Sequence, residues 1–558
     1  PSASVPALVQ GLKATRAAIG SIVDPHSRHL LRVKEQQFQD AINSAMGMEL
    51  SAIAQPAGLA EPTGPGAAFA PPALMAAPVP GQTFEVRARL ANRGGVAATG
   101  ASIAIEGERG WQVTSSAQGS SGLDRHQQVQ MRASVTLAND VALSTRPYFS
   151  RKGLQDSVYT LSDPSQFGKP ASTPPLQAVG RYLIDGVPIE IRQTVVRRES
   201  KLPYGDVLRE VRTVPRIAVA LTPSNAIIAM GQQAIGPSGH QVPVEVTLLH
   251  NAEEATSGQL TLRLPTGWKV EPASQSFSFA RAGERASYRF SVRPSAIDAR
   301  TYQVEAVATA AGREYREGYE VIDHRDLEVR YLYRPATAEV RGINVTTVAG
   351  LKVGYVMGIG DSVPQGLQQL GAQVTLLGER ELASADLSQF DTIMTGTRAY
   401  AVREDLKTYN SRLLDYVRNG GNMVVLYNTQ ELVPNTFAPF PGELLRSAEE
   451  VSEEDSPVTI LAPTHQAFTW PNRITAADFD GWVEQRGSKF FSKWDPAYTP
   501  MISTFDKGQP PQSGGWLTAK VGKGTWTYFA YALHRQLPYG VPGAYRITAN
   551  LLALNKVR

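Results

Sequence analysis

The 558-residue chain contains no cysteine. Disulfides, thiolate metal sites and cysteine nucleophiles are therefore excluded, while an exported protein that avoids stray thiols and a cytoplasmic one both stay open. No uninterrupted apolar run reaches the roughly 18 residues of a membrane-crossing helix. The opening PSASVPALVQ has neither the basic start nor the apolar core of a signal peptide, so any leader is expected to be gone. The formal charge is only +4, and the arginines are spread along the chain without a basic stripe interleaved with aromatics. Nucleic-acid binding is not expected. With 42% hydrophobic and 19% charged residues, the composition is that of a folded protein long enough for three or four domains.

The most regular stretch runs from Leu351 to Asn428. Short apolar runs at 353–357, 374–377, 392–395 and 423–427 alternate with helical patterns. Gly358 and Gly360 follow the first run, and Asp361-Ser362 can cap the next helix. The last helical pattern carries Leu406, Leu413, Leu414 and Val417 and stops at Gly420-Gly421. Such alternation predicts a parallel sheet covered on both faces, with ligands at the carboxyl ends of its strands.

Elsewhere the chain reads as a series of smaller units. Residues 1–55 suggest a helical pair, with Val9, Leu12 and Ile19, then Leu30, Leu31, Val33, Phe38, Ile42, Met46 and Leu50 at helical spacing. The pair is too short to fold alone and needs a surface, either on this chain or on a protein partner. Residues 56–80, rich in Pro, Ala and Gly, suggest a linker or extended wrap. Residues 81–215 and 216–324 carry period-2 runs such as TFEVRARL and VPVEVTLL and predict two immunoglobulin-like antiparallel β-sandwiches. Both contain Gly-Trp-x-Val, at Gly110-Trp111-Gln112-Val113 and Gly267-Trp268-Lys269-Val270. Trp111 and Trp268 are expected to be equivalent core residues, with sugar stacking as the alternative. The long segment 144–212 predicts extra strands or a functional insertion. Residues 325–348 read as a linker and 349–558 as the α/β domain, interrupted at 432–515 by sequence with little periodicity.

Complete chemical motifs are scarce. Gly358-Ile359-Gly360 lacks the third glycine of a dinucleotide fingerprint, so a turn is sufficient reason for it and no cofactor is expected. Asp24, His26 and His29 form a tight His-containing set, better read as a polar helix start than as a metal site, and no metal is expected. The acidic run at 449–455 is expected to be a solvated loop in preference to a cation site. At the predicted carboxyl ends of the strands stand Asp361, Arg398, Tyr400, Asn428 and His534, a candidate ligand pocket. His534 could act as a general base, but no nucleophile sits at an obvious elbow, and no catalytic residue is assigned. Trp482, Trp494, Tyr498 and Trp516, with Asp495, form a candidate carbohydrate platform in irregular sequence.

Several strings resemble the C-terminal region of large bacterial PIG-L (LmbE-like) de-N-acetylases. They are STRPYF (144–149), DGVPIEIR (185–192), GYEVIDH (318–324), RYLYRPA (330–336) and VGYVMGIGDSVPQGLQQLG (353–371), then RLLDYVRNGGNMVVLYN (412–428), TWPNRITAADFDGWVEQRG (469–487), WDPAYTP (494–500) and RQLPYGVPGAYRITANLLAL (535–554). The resemblance covers almost the whole chain. It implies helices, glycosidase-associated sandwiches and a flavodoxin-like domain similar to class I glutamine amidotransferases, following an exported zinc-hydrolase domain. No position here matches the His-Pro-Asp-Asp motif of that zinc domain. The amidotransferase cysteine, which the resemblance would put around Asn428, is absent too. The expectation is a non-catalytic, exported scaffold that binds glycan or cell-envelope polymer. The alternatives are part of a zinc-dependent N-acetyl-sugar deacetylase whose catalytic domain lies elsewhere, and a purely structural subunit.

Overall fold

The computed structural model describes residues 2–60, 63–65, 69–115, 120–154, 156–230, 241–295 and 297–556. Two helices open the chain, α1 (Val5–Ser21) and α2 (Pro25–Met46). Asp24 caps α2, its carboxylate accepting the Ser27 N–H at 2.7 Å, and Pro25 stands at the first turn. Gly47, at φ 64°, ends the helix.

The helical reading of residues 1–55 fails from that glycine onward. Met48–Pro56 is a strand, β1, with Met48, Leu50, Ala52 and Ala54 buried. MELSAIAQP alternates with period 2, so Leu50 belongs to a strand face and not to the helical stripe. β1 pairs antiparallel with β2 (Thr83–Asn92) and parallel with Val196–Lys201. It lies inside a six-stranded sheet completed by Gly205–Glu210, Gln128–Leu137 and Trp111–Ser115. A second sheet orders Val187–Thr194, Leu176–Ile184, Ala98–Gly107 and Ser120–Leu123. The segment 144–212 thus supplies extra strands to both sheets.

The helices pack on this sandwich. Val5, Val9, Leu12, Ile42 and Met46 join its core, and Asn43 accepts the Tyr182 hydroxyl at 2.7 Å while donating to Glu190 O at 2.9 Å. Leu30 and Val33 stay 53% and 43% exposed. A 22-residue helix is about 33 Å long, and the start of α2 outreaches the surface that covers its end. Met75 is buried in the core of the first sandwich and Val79 in a small cluster between the two sandwiches, so residues 75–80 run as a wrap.

The second sandwich packs the sheet Ile217–Thr222, Val242–His250, Arg285–Arg293, Lys269–Glu271 on the sheet Asn225–Ala229, Thr337–Ile343, Thr301–Ala310, Thr256–Arg263, Ser274–Phe279. The expected linker at 325–348 is mostly strand. Arg330–Pro335 forms a hairpin with Glu317–Ile322, and Thr337–Ile343 lies between Asn225–Ala229 and Thr301–Ala310. The alternation TAEVRGI, with Ala338 and Val340 buried, is what commits that segment to the sandwich. Trp111 and Trp268 are buried in the two sandwiches, the first edge-on to Phe84 at 6.3 Å and the second against Tyr302 at 5.0 Å. Each follows a left-handed glycine, Gly110 at φ 90° and Gly267 at φ 82°, so the repeated motif is one turn used twice.

The C-terminal sheet orders Gln373–Leu376, Lys352–Val356, Thr392–Thr395, Asn422–Leu426 and Gly524–Phe529, all parallel, then Trp516–Val521 and Thr499–Pro500 antiparallel. The strands Thr392–Thr395, Asn422–Leu426 and Gly524–Phe529 are buried throughout, as a sheet covered on both faces requires. Its core is continuous with the second sandwich, taking in Ile227, Ala229, Ile343 and Val345. Among the described residues no helix is long and apolar enough to cross a membrane.

Candidate functional site

At the carboxyl ends of the parallel strands the chain makes a tight knot around Asp361. Its carboxylate accepts the Tyr355 hydroxyl at 2.8 Å, the Val363 N–H at 3.1 Å, and the Thr397 N–H and hydroxyl at 3.2 and 3.1 Å. Gly358 lies so close that a Cβ would meet Thr397 O at 1.9 Å, which explains the glycine without any nucleotide.

Arg398 follows the central strand Thr392–Thr395 in the left-handed region, at φ 54° and ψ 29°, and the chain turns at once into the short helix Ala399–Val402. Neighbouring loops hold this turn. The Arg398 N–H donates to Tyr427 O at 2.8 Å, and the Tyr400 N–H to Asn428 Oδ1 at 3.0 Å. The strained strand-to-helix position is thus Arg398 and not Asn428. The Arg398 Nε is buried without a hydrogen-bond partner. Nearby, the Thr429 hydroxyl first, and the charges of Arg398 and Lys407 as well, hold the Glu431 carboxyl below its ordinary range. His534 stacks on Tyr427 at 5.9 Å, and burial lowers its pKa against the opposing pull of Asp361.

The strand ends gather Asp361, Arg398, Asn428 and His534, but two of the candidate pocket residues have another task. Asn428 is fully buried and spends its amide on Leu426 O and the Tyr400 N–H. Tyr400 is also fully buried, its hydroxyl donating to Asn410 Oδ1 at 2.8 Å. Both are struts of the turn, with no free polar atom for a ligand. Arg398 and His534 keep partly accessible side chains.

The expected carbohydrate platform is an aromatic core. Trp482 is 1% exposed and Trp516 0%, and Tyr498 is buried, while Trp494 is half-buried against the same core. Their faces are covered by other rings, Trp482 on Phe479 at 5.4 Å and Trp516 on Phe468 at 5.0 Å. The Trp482 indole N–H donates to Asp478 O, and the Tyr498 hydroxyl to Phe440 O, both at 3.0 Å. The irregular backbone at 432–515 hides its burial because it has no period. The acidic run is mostly exposed, with its backbone held at Ser452 and Glu453, whose N–H groups donate to Asp506 at 2.8 and 2.9 Å.

A site absent from the sequence reading lies between the sandwiches. A cleft of about 520 Å³ is walled on one side by Asp140 and Arg146 of the first sandwich and on the other by Tyr315, Glu317 and Tyr333 of the second. Arg146 Nε donates to both Glu317 oxygens, at 3.0 and 2.9 Å, and Nη2 adds a third bond at 2.5 Å. Arg313 reaches back to Asn139 O at 3.4 Å. Burial raises both phenols; Arg216 and Arg313 oppose it at Tyr315, and the Glu317 charge adds to it at Tyr333. Arg146 and Tyr333 fall in two of the strings that carry the family resemblance, STRPYF and RYLYRPA.

The second sandwich contains a recognisable module, which ends before Tyr315, Glu317 and Tyr333 of the cleft wall. Residues 238–311 match the NPCBM-associated, NEW3 domain of α-galactosidase. The match runs from Val242–His250 to Thr301–Ala310 and includes Trp268 and the cleft residue Glu305. Among solved structures, a β-galactosidase from Rahnella sp. R3 aligns at 15% identity over 38% of this chain and 31% of that enzyme, with a TM-score of 0.24. The chain thus spans about a third of that enzyme's length. No curated protein matches. The chain is a β-rich multidomain protein that carries a module of the kind associated with carbohydrate-active enzymes.

Proposed function

We propose that the chain is a non-catalytic binding and scaffolding region that recognises a glycan or cell-envelope polymer, exported and associated with a PIG-L-type deacetylase. The observation that carries this reading is the match of residues 238–311 to a domain of α-galactosidase. The link to the deacetylase rests on the quoted strings alone. The flavodoxin-like, amidotransferase-like character of residues 349–558 draws support from the strand order, in which the second strand flanks the first and the third to fifth follow on the other side. With no cysteine, that domain lacks the nucleophile of its class, and fold alone does not bring an activity.

The test is binding of the full chain to an array of neutral and anionic bacterial glycans, with release of acetate from N-acetylated sugars measured in parallel. Glycan binding without acetate release is the expected result. Chelator-sensitive release of acetate would replace this reading with the deacetylase one, and failure to retain any glycan would leave a purely structural subunit.

A further inference from the structure

The cleft between the sandwiches has a composition that selects its ligand. Its lining carries four arginines and four carboxylates, so the wall as a whole is neutral. Most of these charges are already paired across short distances. Arg146 and Glu317 form the forked pair described above. Arg316 stands 3.9 Å from Glu305 and 3.8 Å from Glu314. Glu305 and Glu314 are also engaged by Arg263, at 3.1 and 2.7 Å. A polyanion entering here would have to break carboxylate pairs and would meet as many acids as guanidinium groups. A fully apolar ligand would strip water from all of them. A neutral, hydroxyl-rich ligand disturbs neither balance, because each hydroxyl can donate to a carboxylate and accept from a guanidinium N–H while the pairs stay intact.

Two rings supply what the polar wall lacks. Tyr315 and Tyr333 line the cleft and are half-buried, presenting an apolar body beside a polar rim. This combination suits the C–H face of a sugar ring with its hydroxyls turned to charged partners. The cleft volume of about 520 Å³ lies in the range of small-ligand sites.

We infer that the cleft between the two sandwiches is a binding site for a neutral oligosaccharide, with Tyr315 and Tyr333 as its stacking surfaces and Arg313, Arg316 and Asp140 among its hydrogen-bonding groups. The inference rests on the glycan-recognition reading above and narrows it to one place and one charge class. Both sandwiches contribute walls, so the site depends on the junction between them, to which the Arg146–Glu317 pair contributes.

The experiment is titration calorimetry of the full chain with neutral oligosaccharides built from hexose and N-acetylhexosamine units, beside a uronate oligomer as the anionic control. Tyr315→Ala and Tyr333→Ala are each expected to weaken neutral-glycan binding roughly tenfold, the equivalent of one good aromatic contact. Ala142→Trp, at an exposed position in the lining, obstructs the cleft without removing a contact and is expected to have a similar or larger effect. Thermal melts of each variant separate lost binding from lost folding. If neutral glycans bind and all three folded variants bind as well as the parent, the site is elsewhere and only the cleft assignment falls. If the uronate oligomer alone binds, the inference of a neutral ligand is overturned. If no glycan binds at all, the glycan reading and this site fall together.

Discussion

Arg398 and His534 show what single residues contribute at the strand ends. A left-handed conformation costs a non-glycine residue about 1–2 kcal/mol, and glycine would return up to about 1 kcal/mol of that through its larger unfolded-state entropy. Arg398→Gly is therefore expected to raise stability by about 0.5–1 kcal/mol, read from urea melts, with the fold unchanged. A loss of stability instead would mean that the arginine side chain anchors the turn through Glu431. His534 makes a prediction about pH. Its folded pKa lies below its unfolded value because burial disfavours the imidazolium. The unfolded chain binds more protons below pH ~6.5, so stability is full above that pH and declines as pH falls through it toward the folded pKa. His465 is lowered in the same way, burial first and Lys520 adding to it. Urea melts from pH 8 down to pH 5 should show the decline, and His465→Gln with His534→Gln should reduce its slope. An unchanged slope would remove both histidines from the account. The sequence made Arg398 visible as a residue beyond a strand, but not as a strained one, because backbone conformation at a single position depends on the hydrogen bonds that neighbouring loops impose.

Among the elements, those with a strong local period were legible. The two Gly-Trp turns, the period-2 strands and the strand–helix alternation from Leu351 to Asn428 follow from chemistry within a few residues of each other. The strands at 48–56 and 337–343 are hidden because their alternation is short and sits beside a helix or a turn-rich connection. The burial of Trp482 and Trp516 under irregular backbone is a tertiary property, and the cleft joins Arg146 to Tyr333 by a route no window of sequence can see. The N-terminal helices carry the element-level prediction. Ile42 and Met46 lie in the first sandwich core, so deleting residues 1–46 is expected to unfold that sandwich, a loss of several kcal/mol by the measure of about 25 cal/mol per Å² of apolar surface. Leu30→Glu with Val33→Glu, on the exposed start of α2, should leave the melting temperature within a degree or two. If those two changes abolish association with another protein, the exposed turns of α2 are a contact surface. A stable deletion variant would place the helices outside the core.

At the scale of the whole molecule the two inter-domain junctions differ in kind. The second sandwich and the C-terminal sheet share one apolar core through Ile227, Ala229, Ile343 and Val345, while the two sandwiches meet through the small cluster of Val79, Val214 and Ala252 and ion pairs such as Arg209–Asp323 at 2.8 Å. Calorimetry is accordingly expected to show residues 216–558, expressed alone, melting in one cooperative transition, with the first sandwich adding a separate one in the full chain. Separate melting of residues 216–343 and 344–558 would contradict the shared core. Salt in the molar range should loosen the inter-sandwich junction and leave the other intact. The interior position of β1 has a consequence for how the chain comes off the ribosome. Ile53 waits for Val196, its parallel neighbour, until nearly the whole first sandwich has been synthesised. Until then one edge of a buried strand is open to stray pairing, which makes the stretch before Val196 the interval in which misassembly of this sandwich is expected.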